Sequence, residues 1–442
     1  MTDPHTPAPR VLLGNFDVER RWAEGVLALP EIARASANAV TNHLGELALL
    51  LARPGDAVVL KAAPDPDFLD RLRSVGFATA DIVVAESTEA ARTVTQDLLD
   101  SPAALERLRA LAAEGATLAP HGYSEDEERL SRETGLAAPL PSAALAARVN
   151  SKIYSRRLCA DLDIRQAPGW ECETLAEFEA LEAPVKAALE RGTTVGVKSA
   201  LGVSGRGITT LTKPSQWDGL VRLLRGQARK AGTDALALVV EEWQAKATDV
   251  NYHFTIDAEG RSRFDFAVEA VTENGRHIGH RIPADLAPGH LDELRSCAAL
   301  IGARLAAEGY RGPVGVDALV CQDGTLMPVL EINARNNMST YHLDVVRRAP
   351  GRAAVVQFDL RLHAALPFPA LAAALEGTEM DAALEHGFLV TGFAPVNANA
   401  GTKDPFPGRL HGILCAPSQS DLAALHDDVA SRLTRLEEHH VR

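Results

Sequence analysis

Apolar positions fall into two regimes along the chain. Over residues 11–140 short apolar runs alternate with stretches of helical spacing. Val11–Leu13, Ala57–Leu60, Asp81–Ala85 and Ala116–Ala119 read as strands, and the segments near 40–52, 66–75, 90–114 and 125–134 as helices. Such alternation predicts a small parallel α/β layer, with ligand-binding loops beyond its strand ends. Pro139 and Pro141 punctuate a boundary, followed by a short helix at 143–149. Asn150 or Ser151 can cap the next helix, whose Tyr154, Leu158 and Leu162 share one face, and Gln166-Ala167-Pro168 stops it.

From 170 to 340 the pattern changes. Helices are predicted at about 175–191, 214–230 and 288–309. Strands are predicted at about 194–198, 207–211, 236–242, 249–257, 263–271, 276–282, 313–321 and 325–333. Close turns between adjacent strands predict antiparallel sheet. The remainder reads as a helix near 351–364, a short helix after Pro367 and Pro369, apolar runs at 387–393 and 409–415, and a charged helix at 420–437. Three units follow: 1–142, 143–345 and 346–442, in an α/β (α+β) chain.

Composition narrows the function. The 442 residues carry 45 basic and 59 acidic side chains, a net charge of −14. A protein that coats nucleic acid normally shows a basic surface, so no nucleic-acid partner is expected. The longest apolar runs, such as Leu47–Ala52, fall well short of the ~18 residues of a membrane helix. The first ten residues hold three prolines and no apolar stretch, so no secretory signal is read there and a cytoplasmic chain is expected. Five widely spaced cysteines without a C-x-x-C read as reduced thiols.

The most informative segment runs from Thr194 to Ile208. A strand ends in Lys198, and a loop with Gly202, Gly205 and Gly207 leads into another short strand. Glycines let backbone N–H groups approach an anion, and a neighbouring lysine supplies charge for phosphate oxygens. The order is neither the dinucleotide G-x-G-x-x-G, which opens a helix, nor a P-loop, since Ile208 follows Gly207. A protein-kinase loop precedes its lysine, whereas Lys198 precedes this loop, and H-R-D is absent. A glycine-rich hairpin without ligand is the bland alternative.

A second segment shifts the balance. Gly312–Cys321 and Leu326–Arg335 form two strands around Asp323-Gly324. Glu331 and Asn333 share a face, roughly 6–7 Å apart along the strand, and such hard oxygens suit Mg²⁺ held jointly with phosphates. Arg335 extends that face and can stabilise a transferring phosphoryl group. A two-residue Asp323-Gly324 loop would pair 317 with 330 and turn Asp317 away. A three-residue loop with left-handed Gly324 pairs 317 with 329 and gathers Asp317, Glu331 and Asn333; this second loop is expected.

Lys198 with its glycine loop, Val239-Val-Glu-Glu-Trp243, Asp317 and Glu331-Ile-Asn-Ala-Arg335 together resemble an ATP-grasp enzyme over about 145–345, and 11–140 resembles the pre-ATP-grasp domain that commonly precedes that fold. The tail and Asn333–Thr340 resemble the peptide ligase of pheganomycin biosynthesis, an amide-forming relative. The resemblance implies ATP and Mg²⁺. Lys152 and Lys198 match the lysines on ATP phosphates. Ser204, Gly205, Arg206 and Gly207 lie in the loop closing over them. Glu241, Glu242 and Trp243 match the hinge that meets adenine. Asp249 matches the acidic residue on the ribose. Asp317, Glu331 and Asn333 match the Mg²⁺ ligands. Some relatives carry an arginine two residues before the first metal ligand; here that position is Gly315, which leaves Arg335 to neutralise an acyl phosphate.

The activity so implied is transfer of the ATP γ-phosphoryl group to a carboxylate, followed by attack of an amine, in peptide-antibiotic biosynthesis. The partners are then a small-molecule acid and an amine or peptide, with a homodimer possible by analogy. Two alternatives stand beside it: a ligase loading an amino acid onto a carrier-protein thiol, and a non-catalytic nucleotide-binding protein. Arg276, His280 and Arg281 are the candidates for a substrate carboxylate, against an exposed charged hairpin edge. His253, His277 or His280 are candidate bases. His439-His440 and the loop 397–403 read as plain surface.

Overall fold

A computed structural model describes residues 8–27, 29, 35–89, 92–202, 207–273 and 276–439. The first layer is a parallel sheet of β1 (Arg10–Leu13), β2 (Ala57–Leu60), β3 (Asp81–Val84) and β4 (Thr117–Pro120), in the order β3-β2-β1-β4. Its strands are almost continuously apolar because both faces are covered. Ser124 starts the helix Glu125–Thr134 with a reciprocal cap to Glu127, and left-handed Gly135 ends it.

The second sheet is antiparallel: β5 (Gly169–Thr174), β6 (Val195–Ser199), β7 (Ile208–Leu211) and β8 (Ala235–Glu242), in the order β5-β8-β6-β7. Strand alternation gives it two faces. Val195, Val197, Leu238 and Val240 pack on Phe178 and Trp217, while Gly196, Lys198 and Glu241 fall on the other face by register.

The third sheet has eight antiparallel strands. These are β9 (Lys246–Ile256), β10 (Ser262–Glu273), β11 (Arg276–Ile282), β12 (Gly312–Cys321), β13 (Leu326–Asn333), β14 (Arg352–Leu362), β15 (Gly387–Gly392) and β16 (Phe406–Ala416). Their order is β13-β12-β9-β10-β11-β14-β16-β15. Tyr252, Phe254 and Val316 turn one face toward the helix Pro288–Ala307 through Leu294 and Ile301. Residues after 345 continue this sheet through the β11–β14 pairing instead of adding a layer of their own. One hydrophobic core then joins the N- and C-terminal parts, with Leu12, Leu47 and Phe68 packed among Leu360, Phe393 and Leu410.

Several expectations are corrected here. The helix expected at 351–364 is β14, a strand paired on both sides with β11 and β16. Its Ala, Leu and Arg are good helix formers, but tertiary context overrides propensity, and Val355-Val356 with buried Leu360 and Leu362 suits a strand paired on both sides. Strand β5 escaped the apolar pattern because Cys172 is its one buried side chain. The expected helix 175–191 breaks at Leu181, and 90–114 breaks at Ser101-Pro102. Most of the last turns of 40–52 are 3-10, over Leu44–Leu51.

Candidate active site

The second and third sheets meet along one short helix, Lys152–Asp161. Ser151 caps it, its hydroxyl accepting from Ile153 N at 3.2 Å. Lys152 and Arg156 stand four apart, so they share a helix face about 5–6 Å apart at Cβ. Lys152 Nζ meets Glu331 Oε2 at 2.9 Å and donates to the Gly202 carbonyl at 3.1 Å. Its backbone N–H donates to Ala200 O at 2.9 Å, at the start of the glycine loop. One turn on, Arg156 Nη1 lies 3.1 Å from Glu241 Oε2, and Arg156 Nε lies 2.9 Å from Glu171. Glu241 holds Lys198 Nζ on its other oxygen at 2.5 Å. Between the two, Ser155 Oγ accepts from Ile332 N at 3.0 Å and fixes the helix to β13. Lys198 and Glu331, 133 positions apart in sequence, are thus held on successive turns of the same helix, Glu331 through Lys152 and Lys198 through Glu241 and Arg156.

On the Glu331 side the hairpin of β12 and β13 closes with three residues. Cys321 N donates to Thr325 O at 2.8 Å, and Gly324 takes φ +83°. Near the turn Val320 pairs with Leu326 and Leu319 with Met327, the register of the expected loop. A further irregularity between Asp317 and Leu319 then slips the strands by two, so Asp317 lies opposite Glu331 and not residue 329. A shift of two keeps every side chain on its face. Asp317, Glu331 and Asn333 are therefore together, with Asn333 Nδ2 donating to Asp317 Oδ2 at 3.2 Å. Burial, and after it the neighbouring Glu331 charge, pushes the Asp317 carboxyl up to about 6.

These donors fit a hard divalent cation. They are oxygens, and two of them are adjacent carboxylates whose mutual repulsion a cation would relieve. Among the described residues no three His, Cys, Asp or Glu side chains converge as a complete metal site, so phosphate oxygens would have to finish the coordination.

Behind Asp317 stands a network that the sequence reading missed. Asn251 Nδ2 donates to Asp317 Oδ1 at 2.7 Å. Asn251 Oδ1 meets His253 Nε2 at 2.7 Å and Ser339 Oγ at 3.0 Å. Ser339 donates onward to Asn337 Oδ1 at 2.7 Å. Asn337 also explains Gly315: a Cβ there would sit 2.0 Å from Asn337 Nδ2, so the amide fills the space a side chain would need. His253 is no open base. It is buried against Phe266, ring centroids 4.4 Å apart, and burial lowers its pKa to about 3.

At the end of β8, Trp243 lies over Gly196; a Cβ at 196 would meet the ring at 2.7 Å. The ring centroid is 5.4 Å from Lys198 Nζ, and 41% of the residue stays exposed, leaving room for a planar partner. Glu242 N and Trp243 N are occupied by Pro168 O and Thr194 O, at 2.9 and 2.8 Å. The Glu242 carbonyl accepts from Gln244 Nε2 at 3.1 Å. Glu242 pairs with Val195, so its side chain falls on the face away from Lys198 and Glu241. Asp249 shares the Asp317 face of the third sheet, where Lys246 and Thr272 hold its carboxylate.

Ser199 N donates to Gly207 O at 2.7 Å, closing the base of the glycine loop, and Gly207 takes φ +68°. Ser204, Gly205 and Arg206 lie outside the described residues. So do the side chains of Arg276 and His277, although both positions are strand. His280 pairs with Ala270, which pairs with Asp249, so it shares the site's face and is buried. Arg281 pairs with Glu269 on the opposite face and forms an ion pair with it at 2.9 Å, which removes it from the site.

Arg335 stands at the far end, beside the first layer. Nη2 donates to Asn333 Oδ1 at 3.0 Å and Nη1 to Asn336 O at 2.9 Å. Nη2 also lies 2.6 Å from Glu19 Oε1, a carboxylate from the short helix after β1. Burial raises the Glu19 pKa, against the lowering effect of Arg335. Nothing in the sequence marked Glu19, whereas Arg156 and Asn251 were readable as the i+4 and i+2 neighbours of Lys152 and Asp249.

A family model for the pre ATP-grasp domain matches residues 46–136. Among curated proteins, the [butirosin acyl-carrier protein]–L-glutamate ligase of Niallia circulans is similar, 26% identical over 305 residues. That match covers 67% of this chain and 65% of the relative, so the chain spans slightly under two thirds of the relative's length. Among solved structures, carboxyaminoimidazole ribonucleotide synthase from Aspergillus clavatus, complexed with ATP, has a TM-score of 0.53 at 15% identity, covering 97% of this chain and 99% of the other. Biotin carboxylase from Campylobacter jejuni has a TM-score of 0.56 at 13% identity, covering 97% and 95%. At these identities the structural likeness is one of fold. Among the described residues no helix is long and apolar enough to cross a membrane.

Proposed function

On the premise that this chain has the ATP-grasp fold behind a pre-ATP-grasp domain, we propose that it is an ATP-dependent carboxylate–amine ligase. The observation that carries this reading is the shared helix. Lys152 and Arg156 hold the Glu331–Asp317 pair and the Glu241–Lys198 pair on consecutive turns. A triphosphate entering between them exchanges partners with both, its oxygens taking Lys152 and Lys198. Mg²⁺, held by Asp317, Glu331 and Asn333, would supply charge neutralisation for the phosphates.

A substrate carboxylate oxygen attacks the γ-phosphorus and ADP leaves, giving an acyl phosphate. The amine nitrogen then attacks the acyl carbon, phosphate leaves, and the amine proton passes to solvent. The chain's own contribution is positioning and charge neutralisation. Lys152 and Lys198 align the phosphates, Arg335 meets developing charge on the acyl oxygen, and the glycine loop excludes water. Five buried free cysteines suit the reducing cytoplasm in which we place it. A role in peptide-antibiotic biosynthesis rests on the sequence resemblance to a peptide ligase.

The test is product analysis with Mg·ATP and pairs of acids and amines. ADP and phosphate, released only when both partners are present, are expected; AMP and pyrophosphate would refute the acyl-phosphate route. The relative's name, an acyl-carrier-protein–L-glutamate ligase, favours a second reading in which a carrier thiol is the acceptor. A mass increase on a phosphopantetheinyl carrier, without amide product, would select it.

A further inference from the structure

We propose that Glu19 and Arg335 form a subsite for a zwitterionic α-amino acid, Glu19 taking its ammonium group and Arg335 its carboxylate. The proposal rests on the ligase reading and deepens it by naming the substrate class and the residue that selects it.

Glu19 comes from the five-residue helix Val18–Trp22, directly after β1. Ligands of open parallel sheets sit beyond such strand ends. The carboxylate is almost fully enclosed, and its ion pair with Arg335 is a single 2.6 Å contact. Neither oxygen accepts a hydrogen bond from another described residue, and Arg335 Nε donates none. Buried carboxylates and guanidiniums ordinarily fill most of their bonding capacity. Here the Glu19 carboxylate, bonded only to its own backbone N–H and touched by Arg335, lies beside an Arg335 Nε that donates to nothing among the described residues.

The surroundings add shape, and the neighbouring Asp17 carboxylate adds negative charge that favours a cation beside Glu19. His121 stacks on Phe16, centroids 4.1 Å apart, and bonds Tyr341 Oη through Nδ1 at 2.8 Å. Burial and the nearby Arg335 charge keep that imidazole neutral. The subsite also adjoins the reacting centre: Arg335 bonds Asn333, and the Glu331 charge is felt at Glu19. A carboxylate placed on Arg335 therefore lies beside the group that would hold the metal and γ-phosphate.

An amino acid brings two opposite charges separated by one carbon. It can part the Glu19–Arg335 contact and replace it with two charge-assisted bonds. An acid without the amine leaves Glu19 buried and unmatched, a penalty of about 10²-fold or more in kcat/KM.

The experiment uses the full chain with Mg·ATP and hydroxylamine as acceptor, so any acyl phosphate is read as hydroxamate. Amino acids are compared with their des-amino counterparts: alanine with propionate, glutamate with glutarate, phenylalanine with 3-phenylpropionate. Wild type should prefer the amino acid at least 100-fold. Glu19→Gln should lose most of that preference through KM, with the KM for ATP unchanged, and Glu19→Asp should restore part of it. Equal loss toward both acid classes, or a preference retained in Glu19→Gln, overturns the subsite. If wild type makes no hydroxamate from any acid, the ligase reading fails. The subsite then stands or falls on whether alanine, glutamate or phenylalanine raises the melting temperature of wild type with Mg·ADP but not that of Glu19→Gln.

Discussion

Replacing Glu331 by glutamine separates the metal role of this carboxylate from its structural one. In the free protein Glu331 is a partner of Lys152 at 2.9 Å, and its side chain is only partly exposed. Losing the charge leaves the ammonium with Gly202 O and the new amide oxygen, a cost of about 1–3 kcal/mol. Relief of repulsion on Asp317 offsets part of it, because the Glu331 charge is the second cause, after burial, of the raised Asp317 pKa. The fold should therefore survive with a net loss below about 2 kcal/mol.

Ligand binding should respond far more. A ligand at 100 times its Kd stabilises the native state by about 2.7 kcal/mol; if the variant's Kd rises 100-fold, the same ligand gives only about 0.4 kcal/mol. Thermal unfolding with a non-hydrolysable ATP analogue, titrated with Mg²⁺, reads this directly. At about 2–4 °C per kcal/mol for a sizeable chain, a wild-type shift near 5–10 °C should shrink to 1–2 °C. A full Mg²⁺-dependent shift in Glu331→Gln would show that Glu331 holds no metal.

Other expectations follow from the same geometry. Lys198→Ala should lower kcat/KM for ATP by about 10²–10³-fold with little unfolding, because Glu241 keeps Arg156 as partner; unaltered ATP kinetics would refute its phosphate role. Gly315→Ala drives a methyl into Asn337 Nδ2 and should cost about 1–3 kcal/mol in urea unfolding, with Asn337→Ala in the same chain recovering part of it. Glu46 is buried, accepts from Ala394 N at 2.6 Å, and has its carboxyl pushed up to about 7 by burial. Between the ordinary carboxylate value and pH 7 the unfolded chain ionises first. Stability from this group is therefore intact at low pH and falls as pH rises through that window, by on the order of 3 kcal/mol. Glu46→Gln should flatten that pH slope in denaturant midpoints taken at pH 5 and pH 8; identical slopes would refute the assignment.

The strand pattern made most of the fold legible, because period-two alternation and tight turns are local. The hairpin of β12 and β13 was legible for the same reason: left-handed Gly324 sets the parity of Asp317. Strand β14 was not, since its state is decided by neighbours on both sides, β11 and β16, far away in sequence. Lys152, Lys198, Asp317 and Glu331 could be nominated from residue type and spacing. Their convergence depended on Arg156 and Ser155, whose roles appear only once the helix Lys152–Asp161 is docked. Glu19 was invisible, because its meaning comes from a contact with Arg335 across more than three hundred residues. Adjacent strand residues point to opposite sides, so Glu241 shares the Lys198 face and Glu242 does not.

The core shared by Leu12, Leu47 and Phe68 with Leu360, Phe393 and Leu410 has a temporal consequence. The amino-terminal layer emerges from the ribosome about three hundred residues before the strands that cover its inner side. At roughly 5–20 residues per second, that side waits about 15–60 s for its cover. During synthesis it is a greasy surface in need of a chaperone, and a nascent chain stalled before β14 should be captured by one.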